Sequence, residues 1–323
     1  VLQRSSRMHE AAQSNVLSGT GAYATLADLI ALRHKAHRLA LPRNQTATNP
    51  MTGQLRSKHQ GRGMDFSEVR LYQAGDDIRS IDWKVTARTS KTHTKVFQEE
   101  RERPVLILLD QGPSLYFGSQ VRFKSVAAVR LAALLGWAAL DQGDRVGGIV
   151  FNDQTHLETR PRRSRKSLLR LIHDSLSFNQ SLGETRTTSQ RNQFSDMIQA
   201  AQRTSRHGSL IFIISDFSSF DDEIETRLKQ LGRHNDLHGV QIVDPLDRAL
   251  PAPGRYSITD GAGIQEIDTR SRQARARHTA EFEGRSRQVQ RGFQKVQGRF
   301  TQIAAFEQPD DYLPQFFDQR GQL

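Results

Sequence analysis

The chain has 323 residues, 36% of them hydrophobic and 25% charged, which is enough apolar material for one large core with an extension or for two modest domains. It has no cysteine, which excludes disulfides, iron–sulfur clusters, thiolate catalysis and cysteine-ligated zinc, so redox chemistry would need a bound cofactor. Lys and Arg outnumber Asp and Glu by 46 to 35, a formal charge of +11 that draws anionic partners: nucleic acid, anionic lipid or an acidic protein face.

Residues 1–19 read as a tail. Val1 to Ser18 is polar and lacks the apolar run and cleavage site of a signal peptide, which points to the cytoplasm. Leu26, Leu29 and Ile30 recur at helical spacing and predict an amphipathic helix over 25–40 that packs on the main domain. Residues 42–62 are rich in Asn, Thr, Gly and Gln without periodicity, an irregular connection. Residues 65–98 alternate over short runs around Gly75-Asp76-Asp77, which predicts a small strand-and-turn subdomain.

From 104 onward the pattern changes. The runs 105–109, 146–151 and 210–214 are apolar on both faces, as strands in the middle of a parallel sheet must be. Helix-length segments at 121–141, 164–178 and 194–203 lie between them, the alternation that βαβ crossovers require. The longest apolar run, Val126 to Leu140, contains Arg130 and falls short of the ~20 residues that span a bilayer, so it reads as a buried helix rather than a membrane span. Residues 240–243 add a strand, and 255–268 a hairpin around Asp260-Gly261. A long helix over 269–297 is striped by Phe282, Val289, Phe293 and Val296; a strand at 300–305 and a short helix at 312–317 end the pattern. The expected fold is a doubly wound, mainly parallel α/β sheet over 104–306. An N-terminal helix and small subdomain precede it over 20–103, and a terminal helix and tail follow over 307–323.

Asp110 and Asp216 follow two of these strands at their carboxyl ends, where open α/β sheets bind ligands. With the Ser114 hydroxyl they form a candidate hard-oxygen site for magnesium; the alternative is that both aspartates cap helices. Earlier in the chain, Asp65, Glu68, Asp76, Asp77 and Asp82 alternate with Arg62, Arg70, Arg79, Lys84 and Arg88, the pattern of an ion-pair network on a twisted hairpin. Exposed pairs contribute only ~0–1 kcal/mol each, so orientation or docking is the better reason for so many. Asp65, Glu68, Arg70, Tyr72, Asp76, Asp77, Arg79, Asp82 and Trp83 therefore make a candidate partner-binding set, with Tyr72 and Trp83 as aromatic anchors. Core packing is the alternative for Trp83. A nuclease-like metal cluster would need several of these acids to converge on one cation, but the interleaved arginines already satisfy them.

Two basic stretches remain. Arg160, Arg162, Arg163, Arg165, Lys166 and Arg170 sit at the start of a helix, and Arg270, Arg272, Arg275, Arg277, Arg285, Arg287 and Arg291 decorate the long C-terminal one. A basic stripe can track a phosphate backbone. No nucleic-acid module is recognisable and aromatics are only 7%, so a solvated face or one that meets an acidic protein is preferred. His34 with His37, and His234 with His238, are spaced to share a helix face but lack a third ligand. There is no GxxxxGK phosphate loop, and Ser114 and Ser215 have no nucleophile-elbow sequence, so neither an ATPase nor a serine hydrolase is expected.

Asp110-Gln111-Gly112-Pro113-Ser114 resembles the Asp-x-Ser-x-Ser metal-ion-dependent adhesion motif of von Willebrand factor A domains, and Ser215-Asp216 resembles its distal aspartate. Gly112 replaces the first serine, and Asn192 stands where the family's threonine is expected. The resemblance therefore implies a von Willebrand factor A-like fold with a degenerate site made of Asp110, Ser114, Asn192 and Asp216, holding magnesium weakly or not at all. The segment from Gly61 to Asp110, GRGMDFSEVRLYQAGDDIRSIDWKVTARTSKTHTKVFQEERERPVLILLD, resembles the signature of domain-of-unknown-function family 58. That resemblance implies a MoxR-type AAA+ ATPase and other von Willebrand factor A-like proteins as partners. It supports a non-enzymatic adaptor with no nucleotide, haem or iron–sulfur cofactor. The alternatives are a nucleic-acid binder acting through its basic surface and a metal-dependent hydrolase.

Overall fold

The structure, a computed structural model, describes residues 21–42, 64–73, 76, 78–99, 102–181, 193–259 and 264–308. Two compact units divide the chain: residues 43–102 form one, and the segment up to Pro42 joins Arg103 onward in the other. The expected helix at 312–317, the connection at 43–62 and the tail at 1–19 lie outside the described residues.

The N-terminal helix is shorter than expected and broken in two, α1 (Leu26–Ala31) and α2 (Arg33–Ala36). Thr25 caps α1 by accepting the Asp28 amide at 3.2 Å. The break falls where the Leu29 carbonyl accepts the indole N–H of Trp137 at 3.0 Å. Leu29, Leu32, Ala36, Leu39 and Leu41 are buried, whereas Leu26 and Ile30 are exposed, so only part of the expected stripe faces inward. These buried residues belong to the core of the α/β unit, which corrects the grouping of this helix with the strand-and-turn segment.

The smaller unit contains β1 (Met64–Leu71), a 3-10 turn at Ile78–Ser80, α3 (Trp83–Thr89) and β2 (His93–Glu99). The strands pair antiparallel, with a register shift between Phe66 and Glu68. The sequence pattern carries no sign of α3, because Val85, Thr86 and Thr89 favour strand. Asp82 overrides that preference by accepting the Lys84 and Val85 amides at 3.0 and 3.2 Å.

The larger unit is built in the order β3 (Pro104–Asp110), α4 (Lys124–Asp141), β4 (Arg145–Phe151), β5 (His156–Arg162), α5 (Arg165–Ser181), α6 (Gln193–Thr204) and β6 (Leu210–Ser215). It continues with α7 (Asp222–Gly232), β7 (Asp236–Val243), α8 (Pro245–Arg248), the hairpin β8 (Arg255–Thr259) and β9 (Ile264–Asp268), α9 (Arg272–Gln294) and β10 (Arg299–Ala304). The six-stranded sheet has the order β10-β7-β6-β3-β4-β5, and every pairing is parallel except β4 with β5. Counted along the chain this is the 3-2-1-4-5-6 order of a doubly wound fold, the class expected, and strand order reverses between β3 and β6. Side chains of β3 alternate between two cores: Val105, Ile107 and Leu109 meet α1, α2, α4 and α5, while Leu106 and Leu108 meet α6, α7 and α9. The 126–140 run is the buried helix expected of it, α4, covered by the sheet, by α5 and by the N-terminal segment. On α9, Phe282, Val289 and Phe293 are buried as the stripe predicts. Among the described residues no helix is long and apolar enough to cross a membrane.

Two elements escape the periodicity. The apolar stripe of α7 consists only of Ile224, Leu228 and Leu231. β5 is a half-polar edge strand interrupted by Pro161, and it carries Arg160 and Arg162, which the sequence reading placed on a helix. A Cβ at Gly147 would lie 2.4 Å from both the Pro161 nitrogen and the Thr159 carbonyl, so this close approach of β4 to β5 needs glycine. Pro161 and the outward arginines blunt the edge against further pairing.

On β7, His238 is buried with its ring edge-on to Phe212 at 5.3 Å. Burial, with the charges of Arg299 and Arg103, pushes its pKa down to about 3. A histidine whose folded pKa is depressed contributes stability that is present above its unfolded value near 6.5 and lost as pH falls toward the folded one. The variant His238→Leu should therefore gain on the wild type by up to about 1.4 kcal/mol per pH unit as pH is lowered from 6.5 to 5, measured by denaturant unfolding at each pH. A constant difference across that window would contradict a neutral buried imidazole.

Candidate functional site

The carboxyl ends of β3 and β6 meet where strand order reverses, and each ends on or beside an aspartate. Asp110 is buried: its Oδ1 accepts the Gly112 amide at 2.8 Å and its Oδ2 accepts the Ser215 hydroxyl at 2.5 Å. Asp216 is equally buried, with Oδ1 accepting the Ser218 amide at 3.0 Å and Oδ2 accepting the Lys124 ammonium at 3.0 Å. Lys124, the first residue of α4, also reaches Asp247 at 3.2 Å. Asp247 is held by the capping box of α8, in which its carboxylate accepts the Asp244 amide at 2.8 Å. Asp244 in turn accepts the Ser119 amide and hydroxyl at 2.7 and 2.6 Å. The loop after β3, the end of β6 and the start of α8 are thus tied into one charged knot.

Several contacts hold that knot in place. Phe217 adopts a left-handed φ of 53°, uncommon for a residue with a large side chain. Its ring is clamped by Phe194, Phe293 and Phe300 at centroid distances of 5.7, 5.8 and 6.1 Å, and its amide donates to Ser215 Oγ at 3.0 Å. From the other side, Phe123 N donates to Gly21 O at 2.8 Å, and the Tyr23 and Tyr116 hydroxyls share a hydrogen bond of 2.8 Å. At the rim, Ser218 Oγ donates to Ser114 Oγ at 3.2 Å, and Phe117 and Val121 are exposed.

The charges in the site are strongly perturbed. Burial, reinforced by the neighbouring charge of Asp216, pushes Asp110 up to about 7 despite its bonds from Ser215 and Gly112. Burial also acts to raise Asp216, but Lys124 and the bonds from Ser218 outweigh it and leave the pKa below the ordinary carboxylate range. Burial works against the charged form of Lys124, whose pKa is nonetheless raised by Asp216 and Asp247. Burial raises Asp153 as well.

Asp110, Ser114 and Asp216 do converge at the sheet end, whereas Asn192 lies outside the described residues. Magnesium does not fit these residues as they stand. The Lys124 ammonium occupies the inner oxygen of Asp216, the hydroxyl expected at position 112 is missing, and all four oxygens of the two carboxylates already accept bonds from the chain. Sequence reasoning overlooked Lys124, though a signal was present: a cation at the start of a mostly apolar helix opposes the helix dipole and calls for a counter-charge.

In the smaller unit, Asp65 and Glu68 sit on β1 opposite Gln98 and Val96. Arg70 pairs with Asp76 at 2.8 Å, and Asp76 accepts the Gln73 amide while its carbonyl accepts the Tyr72 hydroxyl at 3.4 Å. Asp77 lies outside the described residues. Arg79 is exposed on the 3-10 turn, and Asp82 caps α3 and approaches Lys95 at 3.6 Å. Trp83 is 67% exposed, which removes core packing as its role, and Ile78 and Leu71, earlier in the same unit, are exposed at 66% and 52%. In the larger unit Arg160, Arg162, Arg163, Arg165 and Lys166 are all exposed, but only Arg165 and Lys166 begin a helix. On the C-terminal element the basic stripe is partly neutralised, since Arg270, Arg277 and Arg287 pair with Asp268, Glu281 and Glu283. His238 lies on a strand, so His234 and His238 share no helix face, and His37, which caps the helix that carries His34, bonds Asp141 at 2.7 Å.

Residues 68–288 match the family described as "Protein of unknown function DUF58". The uncharacterized protein Rv1480 of Mycobacterium tuberculosis is 28% identical over 200 residues, covering 62% of this chain and 61% of that protein. The uncharacterized protein YeaD of Bacillus subtilis is 36% identical over 102 residues, 30% of this chain and 25% of YeaD. The chain thus spans less than two thirds of these relatives. Among solved structures, the conserved hypothetical protein BatB from Bacteroides thetaiotaomicron aligns over 66% of this chain and 96% of its own at 16% identity and a TM-score of 0.40. A von Willebrand factor type A protein from Catenulispora acidiphila aligns over 70% of this chain and 43% of its own at 10% identity and a TM-score of 0.36.

Because the folded pKa of Asp110 lies near 7, above its unfolded value near 3.8, the fold is favoured by its protonated form at low pH and loses that advantage as pH rises between the two values. The variant Asp110→Asn should accordingly gain on the wild type by up to about 1.4 kcal/mol per pH unit between pH 4 and 7 and hold its gain above pH 7. Paired unfolding curves would show this, and a gain running in the opposite direction would contradict the raised pKa.

Proposed function

The chain belongs to the DUF58 family, and from that membership we propose that it is a cytoplasmic, non-enzymatic adaptor that binds a MoxR-type AAA+ ATPase and presents partner proteins to it. The ATPase and von Willebrand factor A-like partners come from the resemblance of the segment 61–110. The observation that carries the reading is the placement of large apolar side chains in water. Leu71, Ile78 and Trp83 are exposed on the smaller unit, and Phe117 and Val121 are exposed on the loop between β3 and α4. Exposed aromatic and aliphatic groups beside polar rims are what protein interfaces bury, and a tryptophan among them is the strongest anchor. Asp110, Ser114 and Asp216 then act as the rigid floor of a contact face, their oxygens committed to internal bonds and not poised to activate water. That commitment also weighs against the metal-dependent hydrolase.

A second reading rests on a separate observation, the exposed cluster of Arg160, Arg162, Arg163, Arg165 and Lys166, which suits a polyanion such as nucleic acid. The two readings separate in one experiment. The tagged protein is mixed with a purified MoxR-type ATPase, or with generic single- and double-stranded nucleic acid, over a range of salt. The adaptor reading expects ATPase binding that survives moderate salt and weakens about tenfold in Trp83→Ala. Absence of ATPase binding, together with nucleic-acid binding that collapses with salt, would replace it with the basic-surface reading.

A further inference from the structure

We infer that Lys124 is the resident cation at this end of the sheet, its ammonium group holding the Asp216 oxygen that a divalent metal would otherwise need, so that this face is organised without metal ions. Lys124 is 4% exposed, too buried to be a surface lysine that happens to fold inward. It opens α4, where the helix dipole disfavours a cation, and fifteen of the helix's next seventeen residues are buried with it. Its place is therefore maintained by specific partners: Asp216 Oδ2 at 3.0 Å and the two oxygens of Asp247 at 3.3 and 3.2 Å. These are ammonium–carboxylate distances, about 1 Å longer than magnesium–oxygen bonds. The partners are themselves fixed, Asp216 by Ser218 and Asp247 by the capping box of α8, so the ammonium has a preformed cradle.

Gly112 is the complementary half of the argument. Its φ of −72° is open to any residue, and a Cβ there would lie 3.1 Å from Asp110 Oδ1 and 3.3 Å from Asp153 Oδ1, a fit within a few tenths of an ångström. The backbone thus permits a hydroxyl-bearing side chain between these two carboxylates. The chain instead omits an oxygen ligand at 112 and supplies a permanent positive charge at 124, two features that together exchange a metal for an ammonium. This inference concerns the cation alone and stands whether or not the face binds an ATPase.

The test uses the full chain, manganese and magnesium as probes, and thermal unfolding with titration calorimetry as readouts. Millimolar Mn2+ or Mg2+ should shift the wild-type midpoint by less than about 1 °C and give no saturable heat. Lys124→Gln should lower the midpoint by about 5–10 °C, because it leaves the buried Asp216 and the half-buried Asp247 without their counter-charge. The double variant Gly112→Ser/Lys124→Gln should bind Mn2+ and recover part of that loss. Saturable wild-type binding that disappears in Asp216→Asn would overturn the inference, and so would a Lys124→Gln midpoint equal to the wild type's or a double variant indifferent to Mn2+. If the double variant does not fold, the wild-type titration and the single variant still decide the matter.

Discussion

Two carboxylates buried at the meeting ends of adjacent parallel strands repel one another, and the way that repulsion is relieved sets the architecture around them. Asp110 yields by holding its proton up to about pH 7 and by accepting the Ser215 hydroxyl, while Asp216 remains charged against Lys124. Both solutions draw on residues far apart in sequence. Lys124 arrives on α4, Asp247 on α8, and Ser119 closes back onto Asp244, so the loop at 116–123 cannot move independently of β6 or α8. The left-handed turn at Phe217 completes the arrangement by aiming the Ser218 amide at the second carboxylate while the aromatic cluster absorbs the backbone strain.

A rigid, internally neutralised end of the sheet gives the exposed side chains around it a fixed platform. Phe117 and Val121 project from a loop anchored at both ends, so little conformational entropy remains to be lost when a partner covers them. The smaller unit follows the same logic on a different scale. Asp82 fixes the first turn of α3 and Asp76 ties Arg70 to the Gln73 backbone, which leaves Ile78 and Trp83 outward on a framework held by local polar bonds. The acidic and basic residues there act as local fasteners for that apolar display.

Much of the larger unit was legible because its central strands are apolar on both faces and its helices amphipathic or mostly apolar, so β3, β4, β6, α4 and α9 stand out from period and length alone. Edges were not legible. β5 faces water on its outer side and contains Pro161, so its composition resembles a loop, and its pairing depends on glycine contacts that only the folded chain reveals. α3 was hidden for the opposite reason, a strand-like composition overruled by one capping aspartate. At the candidate site, Asp110, Ser114 and Asp216 were recognisable by their positions after strands, but a search framed around oxygen ligands passes over a lysine. Lys124 enters the site from a helix that reads as purely structural, and Asp247 reads as an ordinary cap.

The seating of the N-terminal segment bears on the order of events during synthesis. Leu29 and Leu32 find their places against α4, a helix that begins about a hundred residues later, and Trp137 supplies the hydrogen bond that ends α1. The ribosome therefore releases an apolar segment well before its seat exists, and the intervening chain must emerge while that segment remains uncovered. Contacts so distant in sequence form late, which makes the docking of α1 and α2 a closing step of the larger unit and exposes the nascent chain to premature association until α4 is in place.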